Sequence, residues 1–108
     1  MNYGILNNQQ GALNLARVDL VSIRLAVLCA ELGSLSAASK RVPCSLSAGS
    51  LRLSALEKSL GTQLFTRDHR GLQTTQAGDL FVPHGRAILQ HVALMNGLVR
   101  SVKPILGS

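Results

Sequence analysis

Three histidines, His69, His84 and His91, are the side chains on which a metal reading would rest. On a helix His84 and His91 stand two turns apart, too far to share one ion, and no acid completes a set. The five carboxylates, Asp19, Glu31, Glu57, Asp68 and Asp79, are scattered along the chain. No serine sits in a nucleophile elbow with a base and an acid to support it. Glu57 is expected to pair with a nearby cation rather than to move protons. The residue types therefore predict no catalytic set, no metal site and no cofactor, and the chain does not read as an enzyme.

What does concentrate polar chemistry is "GSLSAASKRVPCSLSAGSLRLSALE" over 33–57, with cations at Lys40, Arg41 and Arg52 and a single acid. Hydroxyl groups and guanidinium groups at this density suit a polyanion: both donate to phosphate oxygens and to base edges. The whole chain leans the same way, with 11 Lys and Arg against 5 Asp and Glu and a net charge of +6 over 108 residues. Such a balance predicts attraction to nucleic acid, the competing reading being a basic surface that is merely solvated.

Elements able to position these groups are legible. Leu20, Ile23, Val27 and Ala30 recur at helical steps, with Asp19 as cap and Gly33 as stop. A short second helix through "LSAASKRV" is capped by Ser34 or Ser36 and is halted ahead of Pro43. Ser45 caps a third helix, "LSAGSLRLSALEKSL", in which Leu46, Gly49, Leu53, Leu56 and Leu60 fall on or near one face, and Gly61 ends it. "QLFTR" and "GLQTT" around "DHRG" predict a two-stranded hairpin. Thr75 caps a long last helix to about Val102, in which Pro83 should kink the chain or shift the start. That helix is too apolar to stand alone and calls for a cover, from the domain or from a second copy.

Two helices joined by a tight turn make a helix-turn-helix, with a generic helical bundle as the alternative. Ala38 and Ser39 lie where the second helix must approach the third, so a large side chain there would part them. Ser45, Ser47 and Ser50 stand near the start of the third helix, the part of a recognition helix that reaches base edges, and Arg52 lies a turn further on.

A hydrophobic content of 46% with only 15% charged residues suits one packed domain, and the scarcity of aromatics makes its core aliphatic. Cys29 and Cys44 match no zinc or disulfide pattern and read as small buried thiols in a reducing cytoplasm. No signal peptide is evident, and Asp19 and Arg24 interrupt the longest apolar stretch, so neither secretion nor membrane insertion is expected.

In order and without a gap, the chain carries Gly33-Ser34, Ala38, Arg41, Ser45, Ser50, Leu56-Glu57, Leu60-Gly61, "LF" with Arg67, and Thr75, Ala77 and Gly78. Over residues 18 to about 102 it thereby resembles the N-terminal DNA-binding domain of LysR-type transcriptional regulators. The resemblance implies a mainly α winged helix-turn-helix: three helices plus a small β-hairpin wing, then a long linker helix that pairs two protomers. On this reading 1–17 is a flexible arm, 18–75 the DNA-binding domain, 76–102 the linker and dimerisation helix, and 103–108 a tail. It implies a homodimer on double-stranded DNA at an interrupted palindrome, with recognition helix 46–60 in the major groove and wing 66–73 at the adjacent minor groove or backbone.

The candidate DNA-binding residues are Lys40, Ser45, Leu46, Ser47, Ser50, Leu51, Arg52, Arg67 and Arg70. Ser47, Ser50 and Arg52 are expected to face bases. Ser45, Arg67 and Arg70 are expected to hold the backbone, and Lys40 to meet phosphate or solvent.

Departures from the family pattern are specific. Leu46 and Ser47 stand where Gln or Ser, then Pro or Ser, are frequent, and Leu51 stands where a polar residue is frequent. Leu46 donates no hydrogen bond; it contacts a thymine methyl or only packs. Gly49 weakens the third helix by roughly 0.5–1 kcal/mol relative to Ala. Ala26 replaces an aromatic. Family members continue into an α/β domain that binds a small effector, whereas this chain stops at "VKPILGS". No effector site is expected within it, and it reads as a fragment or a natural short form. The alternative function is an interaction protein that pairs through its last helix with full-length relatives.

Overall fold

Four oxygen-bearing side chains start the four helices. Asp19 Oδ1 accepts from Ser22 N–H (2.8 Å), Ser34 Oγ from Ala37 N–H (3.1 Å), Ser45 Oγ from Ala48 N–H (3.1 Å) and Thr75 Oγ1 from Gly78 N–H (3.0 Å). Each satisfies an amide that a helix leaves without a partner in its first turn. In this computed structural model, which describes residues 14–102, the helices are α1 (Leu20–Leu32), α2 (Leu35–Arg41), α3 (Leu46–Leu60) and α4 (Gln76–Arg100). Between α3 and α4 lies an antiparallel hairpin, β1 (Phe65–Asp68) and β2 (Gly71–Thr74), in the register Phe65↔Thr74 and Asp68↔Gly71. The second helix is capped by Ser34, not Ser36. Gly33 and Gly61 close α1 and α3 in the left-handed region, at φ 66° and 76°.

The core is aliphatic. Leu25 and Cys29 of α1, Ala38 of α2, Leu56 of α3 and Leu64 have essentially no exposed surface, and Leu35, Leu53, Phe65 and Leu72 close around them. Each fully buried leucine contributes about 1.5–3 kcal/mol of transfer free energy. The hairpin docks on this core by one face: Phe65 and Leu72 point inward, and Leu72 N–H donates to Gly33 O (3.2 Å). Desolvation in the core pushes the Cys29 thiol up to about 11, so it stays protonated and inert at neutral pH. Cys44, in the turn between α2 and α3, is half-buried rather than enclosed.

Where α2 meets α3 the backbones come close. A Cβ on Gly49 would overlap Ser39 Oγ, and Ser39 itself is buried. Gly49 thus lowers the intrinsic propensity of α3 but is what allows the two helices to touch. Further on, α4 lies against α1, and its buried residues are Gly78, Val82 and Gly85; a Cβ on Gly78 would overlap Leu64 O at the foot of the hairpin. At Gly85 the methyls of Val27 and Ile23 stand 3.0 and 3.2 Å from where a Cβ would be.

Pro83 does not shift the start of α4. It occupies the eighth position of a helix that continues to Arg100, with its ring exposed. The predicted arm is described only from Asn14, where Arg17 N–H and Val18 N–H both donate to Asn14 O (2.9 Å) and make a turn before α1. The rest of the arm and the tail at 103–108 lie outside the described residues.

Candidate nucleic-acid interface

With Gly49, Leu53 and Leu56 buried, helical periodicity turns the opposite side of α3 to solvent. Ser47, Ser50, Leu51, Ser54 and Lys58 are all exposed, as is Leu46 at the first turn. Leu46 is 54% exposed and Leu51 72%, so neither is a core residue. Leu46 therefore departs from the face it was expected to share with Leu53 and Leu56. Ser45 is exposed and uses one lone pair for its cap, which leaves its hydroxyl proton free to donate.

Arg52 does not stand with these groups. Two residues beyond Ser50, it lies about 200° around the helix, where its Nη1 is 3.5 Å from Asp19 Oδ2 at the start of α1. The amide of Ser22 and the Arg52 guanidinium together hold the Asp19 carboxyl below its usual range.

The wing flanks the same side of α3. Arg67 on β1 is exposed, and it lines a cleft with Ser50, Ser54 and Thr66 and a second one with Leu46 and Ser36. Among the described residues no carboxylate lies within ion-pair distance of Arg67. Arg70, in the turn, is different. Its Nη2 donates to Asp68 Oδ2 (2.9 Å), its backbone N–H donates to Asp68 Oδ1 (2.7 Å), and both bonds pull the Asp68 carboxyl down. Lys40 and Arg41 are exposed at the end of α2.

Two groups were not legible as parts of this site. Arg17, in the turn before α1, lines a shallow cleft on the outer side of α3 with Leu51, Ser54, Ala55 and Lys58; only its charge marked it. Among the described residues Glu57 meets no cation. Its Oε2 accepts from Leu64 N–H (2.7 Å) and Phe65 N–H (3.2 Å), fixing the start of the wing to α3.

On α4, Leu94, Met95, Leu98 and Val99 are exposed, and an apolar groove lies between the helix and Val27 and Leu28 of α1. Arg86 donates from Nε to Glu31 Oε2 (3.1 Å) and ties the two helices together. Among the described residues no group of three His, Cys, Asp or Glu is placed to hold a metal, and no helix is long and apolar enough to cross a membrane.

Residues 20–79 match the family model for the bacterial regulatory helix-turn-helix protein, lysR family. The chain is 37% identical over 73 residues to the HTH-type transcriptional regulator TcbR of Pseudomonas sp. (strain P51), covering 68% of this chain and 25% of that one. It thus spans about a quarter of the length of TcbR. The fold is similar to the crystal structure of a CbnR DBD–DNA complex, with TM-score 0.71 and 31% identity over 77% of this chain and 95% of that one. It is also similar to the BenM DBD/catB site 1 DNA complex, with TM-score 0.73 and 26% identity over 77% and 93% of the two chains.

Proposed function

The chain belongs to the lysR family of bacterial regulatory helix-turn-helix proteins, and from that premise we propose that it reads an interrupted palindrome as a homodimer and regulates transcription there. The observation that carries this is the outward side of α3, which presents hydroxyls between the wing's Arg67 and the cations Arg17 and Lys58. Cations at the flanks of such a helix can meet phosphates, and hydroxyls on its outward face can donate to phosphate oxygens or base edges.

Residues 18–75 form the reading unit in this proposal, and 76–102 the pairing helix. Ser47 and Ser50 reach base edges. Ser45, Arg67, Arg70 and Lys40 donate to the backbone, and Arg17 joins them from the other flank. Arg52 serves first as the partner of Asp19 and meets DNA only by releasing it. The exposed apolar residues of α4 support pairing through that helix, and a DNA-reading role goes with a cytoplasmic location.

Selection from random duplex DNA at roughly physiological salt, where non-specific binding is weak, tests the proposal. Enrichment of two inverted half-sites is expected. Retention without enrichment would overturn sequence reading and favour the second reading, in which the exposed face of α4 pairs with full-length relatives.

A further inference from the structure

The bidentate hydrogen bonds that tell guanine or adenine from the other bases come from long side chains, Arg or Lys and Asn or Gln, whereas serine bonds to either and discriminates little. The outward side of α3 has no such long side chain near its start. It offers Ser47, Ser50 and Ser54, bounded by Leu46 on the wing side and Leu51 on the side of Arg17. The one long donor on this part of the helix, Arg52, is turned to Asp19.

The two leucines are among the most exposed apolar side chains outside α4, and the core does not need them. They are five residues apart, which puts them about 140° apart around the helix and roughly 7.5 Å apart along it. That separation is about two base-pair steps. Cations flank both of them, Arg67 beside Leu46 and Arg17 and Lys58 beside Leu51. A solvent-facing leucine between phosphate-binding groups has one apolar counterpart in a major groove, the C5 methyl of thymine.

We infer that Leu46 and Leu51 are specificity-determining residues that read thymine methyl groups, so that each half-site is chosen by apolar contact more than by hydrogen bonding to guanine. This rests on the DNA-reading proposal above and adds to it the chemical feature that is read.

The test begins with the duplex enriched by the full chain. Each thymine is replaced singly by deoxyuridine, which pairs identically and lacks only the methyl. Affinity is then measured for the parent chain, Leu46→Ala and Leu51→Ala, with a thermal melt to verify that these exposed substitutions leave the fold intact. At one or more positions per half-site, removing the methyl is expected to weaken parent binding about fourfold, the worth of one buried methyl. At each such position one of the two alanine variants is expected to lose that sensitivity. Uniform tolerance of deoxyuridine by a tightly bound parent would overturn the inference and leave DNA reading standing. Sensitivity that persists in both variants would also overturn it. Failure to enrich any duplex would overturn DNA reading itself, and the inference with it.

Discussion

Ser39 Oγ occupies the space that a side chain on Gly49 would need, and among the described residues that hydroxyl has no hydrogen-bond partner. The contact between α2 and α3 is thus set by one missing carbon and one unsatisfied oxygen. Gly49→Ala gains helix propensity yet is expected to destabilise by about 1–3 kcal/mol through overpacking. Ser39→Ala removes a buried polar atom with nothing to bond and is expected to be neutral or stabilising. In the double variant the oxygen is gone, and only the Ser39 Cβ at 3.3 Å still crowds the new methyl. Urea denaturation of all four proteins should show a coupling that recovers much of the Gly49→Ala loss.

Glu57 is expected to behave as a structural acceptor. Glu57→Ala strands the amides of Leu64 and Phe65 and should cost about 1.5–3 kcal/mol, as for hydrogen bonds to a charged group. Glu57→Gln keeps one acceptor oxygen and should cost less. Hydrogen exchange at Leu64 and Phe65 checks the assignment: protection there should fall further than in the core of α1.

Asp19 links the cap of α1 to Arg52 of α3, and its carboxyl pKa lies below the ordinary value. A depressed carboxylate stabilises the fold above its unfolded pKa of about 3.9 and ceases to do so as pH falls through the folded value. Asp19→Ala should therefore cost about 1 kcal/mol at neutral pH, typical of a lost cap. The gap between parent and variant should close in acid, below the lowered pKa. Denaturation midpoints across that range measure it.

Arg67 has no carboxylate within ion-pair distance among the described residues, whereas Arg70 shares its charge with Asp68. Arg67→Ala should flatten the plot of log affinity against log salt by about 0.9, the release of one phosphate's counterions. Arg17→Ala should do the same from the opposite flank of α3. Arg70→Ala should weaken binding to all sequences, with a smaller change of slope. A slope unchanged in Arg17→Ala would remove that residue from the interface.

How much of this was legible from the chain follows from range. Helix starts, glycine stops and the hairpin turn are decided within a few residues, and Asp19, Ser45, Thr75 and Gly33 all act as their types predict. Partners set by tertiary packing were not legible. Arg52 finds Asp19 across 33 positions and Arg86 finds Glu31 across 55, while Glu57 accepts from the amides of Leu64 and Phe65. Periodicity told which side of α3 is buried for Gly49, Leu53 and Leu56, but it drew Leu46 inward by one turn too many. Gly49 read as a weak point because propensity counts the helix alone and not the neighbour that needs the room.

The seat of α4 on α1 is confined to the first part of the helix. Its buried residues end at Gly85, and every residue from Ala93 to Arg100 is exposed. From Gly85 to Arg100 the helix runs about 22 Å at 1.5 Å per residue. It is a lever whose fulcrum is the Gly85 contact, held by the Arg86–Glu31 pair. A swing of about 10° at the fulcrum moves the far end by about 4 Å, close to one base-pair step. If two chains join by their levers, the spacing between their half-sites is set at that hinge, far from any residue that touches a base.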